Sequence, residues 1–112
     1  MRTFDEYQEA ARRTQPKDNY TREDKLYHAV FGLASEAGEV SGILQKVYQG
    51  HPVDDTHMAR ELGDCLWMIA EACDALGISM STVASLNRYK LRARYPEGFD
   101  PEHSLHRAAD DI

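Results

Sequence analysis

At 112 residues the chain has the length of one small domain, with room for one real hydrophobic core but not a large one, so a partner subunit is a natural completion. It is 42% hydrophobic and 29% charged, and its 13 basic against 19 acidic side chains give 13 − 19 = −6, the profile of a soluble globular protein. That acidic balance excludes general binding to a nucleic-acid backbone; a phosphorylated ligand needs metal ions or a local basic patch as mediator.

Helical periodicity dominates the chain. Thr3 followed by Glu6 reads as a capping box opening a first helix that runs to about Arg13. Pro16 and Lys17-Asp18-Asn19 form a loop. Thr21 caps a long second helix whose apolar positions Leu26, Val30, Leu33, Ala37, Val40, Leu44 and Val47 follow steps of three and four; Gly50 and Pro52 stop it. Asp54 or Asp55 caps a third helix with the stripe Met58, Leu62, Cys65, Ile69, Cys73 and Leu76, ended by Gly77. Ser79 caps a fourth, which runs to Tyr89 or Lys90 and must end before Pro96. Residues 100–112 read as a tail or arm. Short connections after Gly50 and Gly77 favour antiparallel neighbours. The expected fold is therefore all-α, an antiparallel helical bundle of about four helices within a single domain over 1–112, its core about 20–99, completed by oligomerisation.

No stretch approaches the roughly 20 apolar residues of a membrane span, and the segment Met1 to Glu6 lacks the apolar run of a signal peptide. Cys65 and Cys73, on one helix, stand about 12 Å apart, too far for a disulfide. They read as small core residues in a reducing, cytoplasmic setting.

The chemistry lies in two acidic pairs, Glu36-Ala37-Gly38-Glu39 and Glu61-Leu62-Gly63-Asp64. Each pair is spaced i, i+3, so both acids share one helix face, about 60° apart. At about 100° per residue each pair borders or interrupts the apolar stripe, and at the same angle in both helices. If the stripes face each other, four carboxylates converge at a core edge, which is costly unless they are paired or hold a metal. Basic neighbours are few: Arg60 precedes Glu61, and Lys46 lies beyond Glu39. Carboxylate-only clusters prefer hard divalent cations, Mg²⁺ or Mn²⁺. The rival reading is two amphipathic helices with acids at the solvent boundary. Gly38 and Gly63, inside helices where Gly costs up to ~1 kcal/mol relative to Ala, hint at a close helix–helix approach.

Glu36-x-x-Glu39 and Glu61-Leu62-Gly63-Asp64, followed by Asn87-x-x-Lys90-Leu91-x-x-Arg94-Tyr95-Pro96-x-Gly98-Phe99, resemble the MazG-like nucleotide pyrophosphohydrolases of the all-alpha NTP pyrophosphatase superfamily, over roughly Leu33 to Phe99. The resemblance implies hydrolysis of a nucleoside triphosphate to monophosphate and pyrophosphate, by a dimer or higher oligomer (a homodimer or homotetramer). It implies Mg²⁺ on Glu36, Glu39, Glu61 and Asp64. Many family members carry a further acid before each pair, where this chain has Ser35 and Arg60. An acid of the second helix, Glu36 or Glu39, is the choice for proton acceptor. Asn87, Lys90 and Arg94, at i, i+3 and i+7, project from one face and suit phosphate contacts, with Lys46 a weaker candidate. Trp67, Tyr95 and Tyr20 are candidates to stack on a base. His103 and His106 read as surface histidines. The competing classes are a non-catalytic helical module that binds nucleotide or protein, and a structural dimerisation module.

Overall fold

The computed structural model describes residues 3–112. They form α1 (Phe4–Arg12), α2 (Arg22–Tyr48), α3 (Asp55–Leu76), α4 (Met80–Arg94) and the short α5 (Pro101–Leu105). No strand occurs among the described residues; one isolated bridge joins Pro96 and Gly98. The all-α expectation holds. No single helix is long and apolar enough to cross a membrane.

The helix ends follow local chemistry. Thr3 Oγ1 accepts from the Glu6 N–H at the start of α1. Thr21 and Asp24 exchange side-chain and backbone hydrogen bonds in a full capping box at α2. Asp54, of the two expected candidates, is the α3 cap and accepts from His57 N–H. Gly77 closes α3 in the left-handed conformation, φ 70°, where a side chain is strained. α4 runs about one turn past the expected Tyr89 or Lys90, to Arg94.

The chain divides into two compact units, Met1–Met80 and Ser81–Ile112. In the first, α3 is the central element, contacting both α2 and α1. Three contacts fix its register against α2: His28 meets Glu71, Gly32 meets Met68 and Glu36 meets Asp64. Each advance of four along α2 is a retreat of three or four along α3, so the pair is antiparallel. The close approach is at Gly32, where an added Cβ would collide with the Met68 sulfur. The expected close approaches at Gly38 and Gly63 are absent: nothing lies within 4 Å of a Cβ built there.

α1 is tied to α3 mainly by polar contacts. Asp74 accepts from Gln8 Nε2 at 2.9 Å, Gln15 Nε2 at 3.1 Å and both Arg12 Nη2 (2.8 Å) and Nε (3.3 Å). Gln8 also donates to the Ile78 carbonyl and accepts from Met80 N–H, joining the end of α3 to the start of α4. Trp67 Nε1–H donates to Thr14 Oγ1. Burial alone would push Asp74 up, but hydrogen bonds from Arg12, Gln8 and Gln15, with the Arg12 charge, outweigh it and hold the carboxyl below its ordinary range.

The apolar side chains that are fully buried are small or unbranched: Ala11, Ala29, Met68, Ala70, Cys73, Ala75 and Met80. The single stripe expected on α2 is in fact two. Leu26, Leu33, Val40 and Val47 are half-buried, whereas Tyr27, Val30, Phe31, Leu44 and Tyr48 are exposed. Steps of three and four connect either set, so spacing merged them.

In the second unit the expected tail is not free. Asp100 caps α5, and Asp111 takes both arms of the Arg94 guanidinium at 2.7 Å each.

Candidate functional site

Carboxylate oxygens of Glu36, Glu61 and Asp64 all lie within 4.8 Å of one another. The antiparallel register produces this: Glu36 is on the α2 face turned to α3, opposite Asp64, and Glu61 is one turn before Asp64. Glu36 and Glu61 are half-buried and Asp64 is exposed. Partial burial, followed by the charges of Asp64, Glu61 and Glu39, raises the Glu36 pKa above its ordinary value. Crowded oxygen donors that make no ion pair to an arginine or lysine among the described residues are the donor set of a hard divalent cation. A neighbouring imidazole is that of His57, whose Nε2 stands 3.4 Å from Glu61 Oε1.

Glu39 does not join this trio. It is exposed and lines an adjoining hollow of about 600 Å³ with Ser35, Gly38, Lys46, His51 and His57. Its charge still acts on Glu36. The structure thus brings three of the four expected acids together and sets the fourth beside them.

Other expected residues fall in several places. Lys46 lines the hollow beside Glu39. Lys90 and Arg94 line a separate hollow of about 470 Å³ within the second unit, with Arg107, His103 and His106, while Asn87 is exposed and outside it. Arg94 is engaged by Asp111, and Tyr95 stacks obliquely on Phe99 with ring centroids 5.3 Å apart. Trp67 spends its N–H on Thr14.

Two features escaped the sequence reading. Tyr7 of α1 is half-buried, and burial, then the charge of Asp64, pushes its phenol up, so α1 brings a hydroxyl within electrostatic reach of the acids. Glu71 is 1% exposed, and its Oε1 accepts from Tyr20 O–H at 2.9 Å and lies 2.7 Å from His28 Nδ1. Its Oε2 is buried with no hydrogen-bond partner. Burial and the bond to Glu71 push the Tyr20 phenol up to about 12, so Tyr20 serves this buried cluster rather than a base. Seven residues separate Glu71 from Asp64, two turns on one face; that spacing was the available signal. Its partners lie 51 and 43 residues away, and nothing local announces them.

Compared with known proteins, residues 27–99 match the model of the MazG nucleotide pyrophosphohydrolase domain. The chain is also 32% identical over 78 residues to the "Gene 37 protein" of Mycobacterium phage L5, covering 65% of this chain and 68% of that protein. No solved structure matches.

Proposed function

We propose, since the chain belongs to the MazG nucleotide pyrophosphohydrolase domain family, that it hydrolyses a nucleoside triphosphate, ribo or deoxy, to the monophosphate and pyrophosphate. The observation carrying this reading is the trio of carboxylates gathered within 4.8 Å by the α2–α3 register. Glu36, Glu61 and Asp64 would hold Mg²⁺, or Mn²⁺ in its place. Such an ion, when bound, neutralises phosphate charge and lowers the pKa of a water.

The remaining work falls to side chains of this protein. Glu39, close to the trio yet outside it, is the carboxylate left free to accept the proton of the attacking water. The water oxygen bonds to phosphorus at the α–β bridge, that anhydride bond breaks, and pyrophosphate leaves. Of the expected phosphate contacts in the second unit, Asn87, Lys90 and Arg94, Lys90 is better placed than Arg94, whose guanidinium Asp111 holds by both arms; Tyr95 in that unit and Trp67 in the first are the candidates to stack on a base.

We also propose that a second copy covers the outward face of α2, in a homodimer or homotetramer. Tyr27, Phe31 and Tyr48 are 60%, 68% and 92% exposed there. At about 150–250 Å² per ring, these three alone leave roughly 300–550 Å² in water, as much as the largest patch on an ordinary monomer. Two unpaired cysteines suit a reducing cytoplasm.

The test is incubation with Mg²⁺ and a panel of NTPs and dNTPs, with products identified. Monophosphate plus pyrophosphate supports the proposal. Diphosphate plus orthophosphate refutes it in favour of hydrolysis at the terminal phosphate, and no turnover across the panel refutes it in favour of a binding module. Glu39→Gln lowers turnover about 10²–10⁴-fold, the worth of general-base catalysis, and leaves the helical circular dichroism intact.

A further inference from the structure

The hollow beside the acids is built for something the trio does not account for. It lies in the first unit, between the second half of α2 and the turn leading into α3, and has a volume of about 600 Å³, within the range of small-ligand sites. Three of its lining side chains can carry positive charge: Lys46, His51 and His57. Two are acidic, Glu39 and Asp54, and Asp54 is committed to capping α3. No Phe, Tyr or Trp lines it, so it offers no platform for a nucleobase.

Its floor includes Gly38 and Gly42 of α2. A mid-helix Gly is disfavoured by up to ~1 kcal/mol relative to Ala, and close helix packing is the usual compensation. Here nothing lies within 4 Å of a Cβ built at either position. The space they leave opens into the hollow. His57 links the two regions directly, 3.4 Å from the trio's Glu61. In the other direction along the helix pair the contact of Gly32 with Met68 closes the gap between α2 and α3. The open space beside the acids therefore lies on the side of the turn, where Lys46, His51 and His57 line it.

We propose that this hollow receives the two terminal phosphates of the substrate and holds the pyrophosphate product, with Lys46, His51 and His57 as its donors. Lys46 supplies a full positive charge and three N–H groups, and each imidazole offers an N–H even when neutral. The site thereby selects triphosphates over monophosphates, whose phosphate ends at the acids. The inference rests on the pyrophosphohydrolase reading above, but its test does not depend on turnover.

Inorganic pyrophosphate is titrated into the full chain in Mg²⁺ by calorimetry, and a nucleoside monophosphate is titrated in parallel. Lys46→Ala and His51→Ala, both at exposed positions, each weaken pyrophosphate binding about tenfold, the scale of one charge-assisted hydrogen bond, and leave monophosphate binding within about twofold. Gly38→Ala keeps or raises the melting temperature while also weakening pyrophosphate, which separates a filled hollow from a damaged fold. Absence of pyrophosphate binding by the wild type overturns the proposal. So does unchanged binding in the double variant Lys46→Ala/His51→Ala, or an equal loss for monophosphate. Wild-type turnover of triphosphate to monophosphate and pyrophosphate, measured separately, keeps the pyrophosphohydrolase reading intact under each of those results; absence of turnover defeats that reading instead.

Discussion

Replacing Asp74 by Ala tests how the first unit is held together. Asp74 accepts from Gln8, Arg12 and Gln15, and its side chain is 6% exposed against 53% for Arg12. The Arg12 guanidinium, half in water, regains solvent when its partner goes, so the ion pair itself contributes at most ~1 kcal/mol. Gln8 keeps the Ile78 carbonyl. Gln15 is buried and donates its Nε2–H to Asp74 alone among the described residues, so its orphaned N–H costs ~1–3 kcal/mol. The total is about 1–4 kcal/mol, and at about 4 °C per kcal/mol for a chain of this length the melting temperature falls by about 4–16 °C. Arg12→Ala, by the same reasoning, lowers it by about 4 °C or less. The folded-state pKa of Asp74 lies below its ordinary value, so the unfolded chain binds this proton first on acidification. The Asp74 contribution is whole above about pH 4–5 and is lost as the pH falls through the depressed folded value. Thermal melts of both variants from pH 7 to pH 3 provide the assay. The reasoning fails if Asp74→Ala melts within 4 °C of wild type, if Arg12→Ala is equally damaging, or if the gap does not narrow in acid.

Gly32→Ala forces the buried Met68 sulfur aside; overpacking of about 1–3 kcal/mol exceeds the ~1 kcal/mol gain in helix propensity, so thermal melts show a net loss, whereas Gly63→Ala, with open space around it, melts higher. The pKa of Glu36 is raised in the folded state, so its contribution is most favourable below the ordinary carboxylate pKa and declines as the pH climbs through the raised value. In metal-free buffer, Glu36→Gln therefore gains melting temperature over wild type between pH 4.5 and pH 7.5, and a pH-independent difference contradicts the crowding of the acids. Phe31→Glu with Leu44→Glu on the outward face of α2 leaves a monomer in sedimentation equilibrium where wild type is a dimer or tetramer; an unchanged mass contradicts the proposed interface.

The helix boundaries were legible because they are written locally. Thr21 with Asp24, Asp54 before α3 and Gly77 after it each satisfy or terminate a helix end within four residues. The acidic trio was legible because spacing and helix angle together placed Glu36, Glu61 and Asp64 beside the facing stripes. Glu39 could not be separated from them on spacing alone, since one turn decides whether an acid faces α3 or the hollow. The two faces of α2 were merged because Val30 and Leu44 fit the same steps as Leu33 and Val40; only the position of α3 tells which is covered. The fold of residues 100–112 depends on Arg94 and Asp111, 17 residues apart, and Glu71 depends on Tyr20 and His28 across the bundle. Such pairings belong to the tertiary structure and have no local signature.

The most direct measurement is Mn²⁺ binding followed by electron paramagnetic resonance in wild type and in single carboxylate variants. Glu36→Gln, Glu61→Gln and Asp64→Asn each weaken binding by about tenfold or more, while Glu39→Gln binds Mn²⁺ within a few-fold of wild type and fails only in turnover. Mn²⁺ affinity indifferent to all of Glu36, Glu61 and Asp64 would contradict the shared metal site on which the proposed chemistry stands.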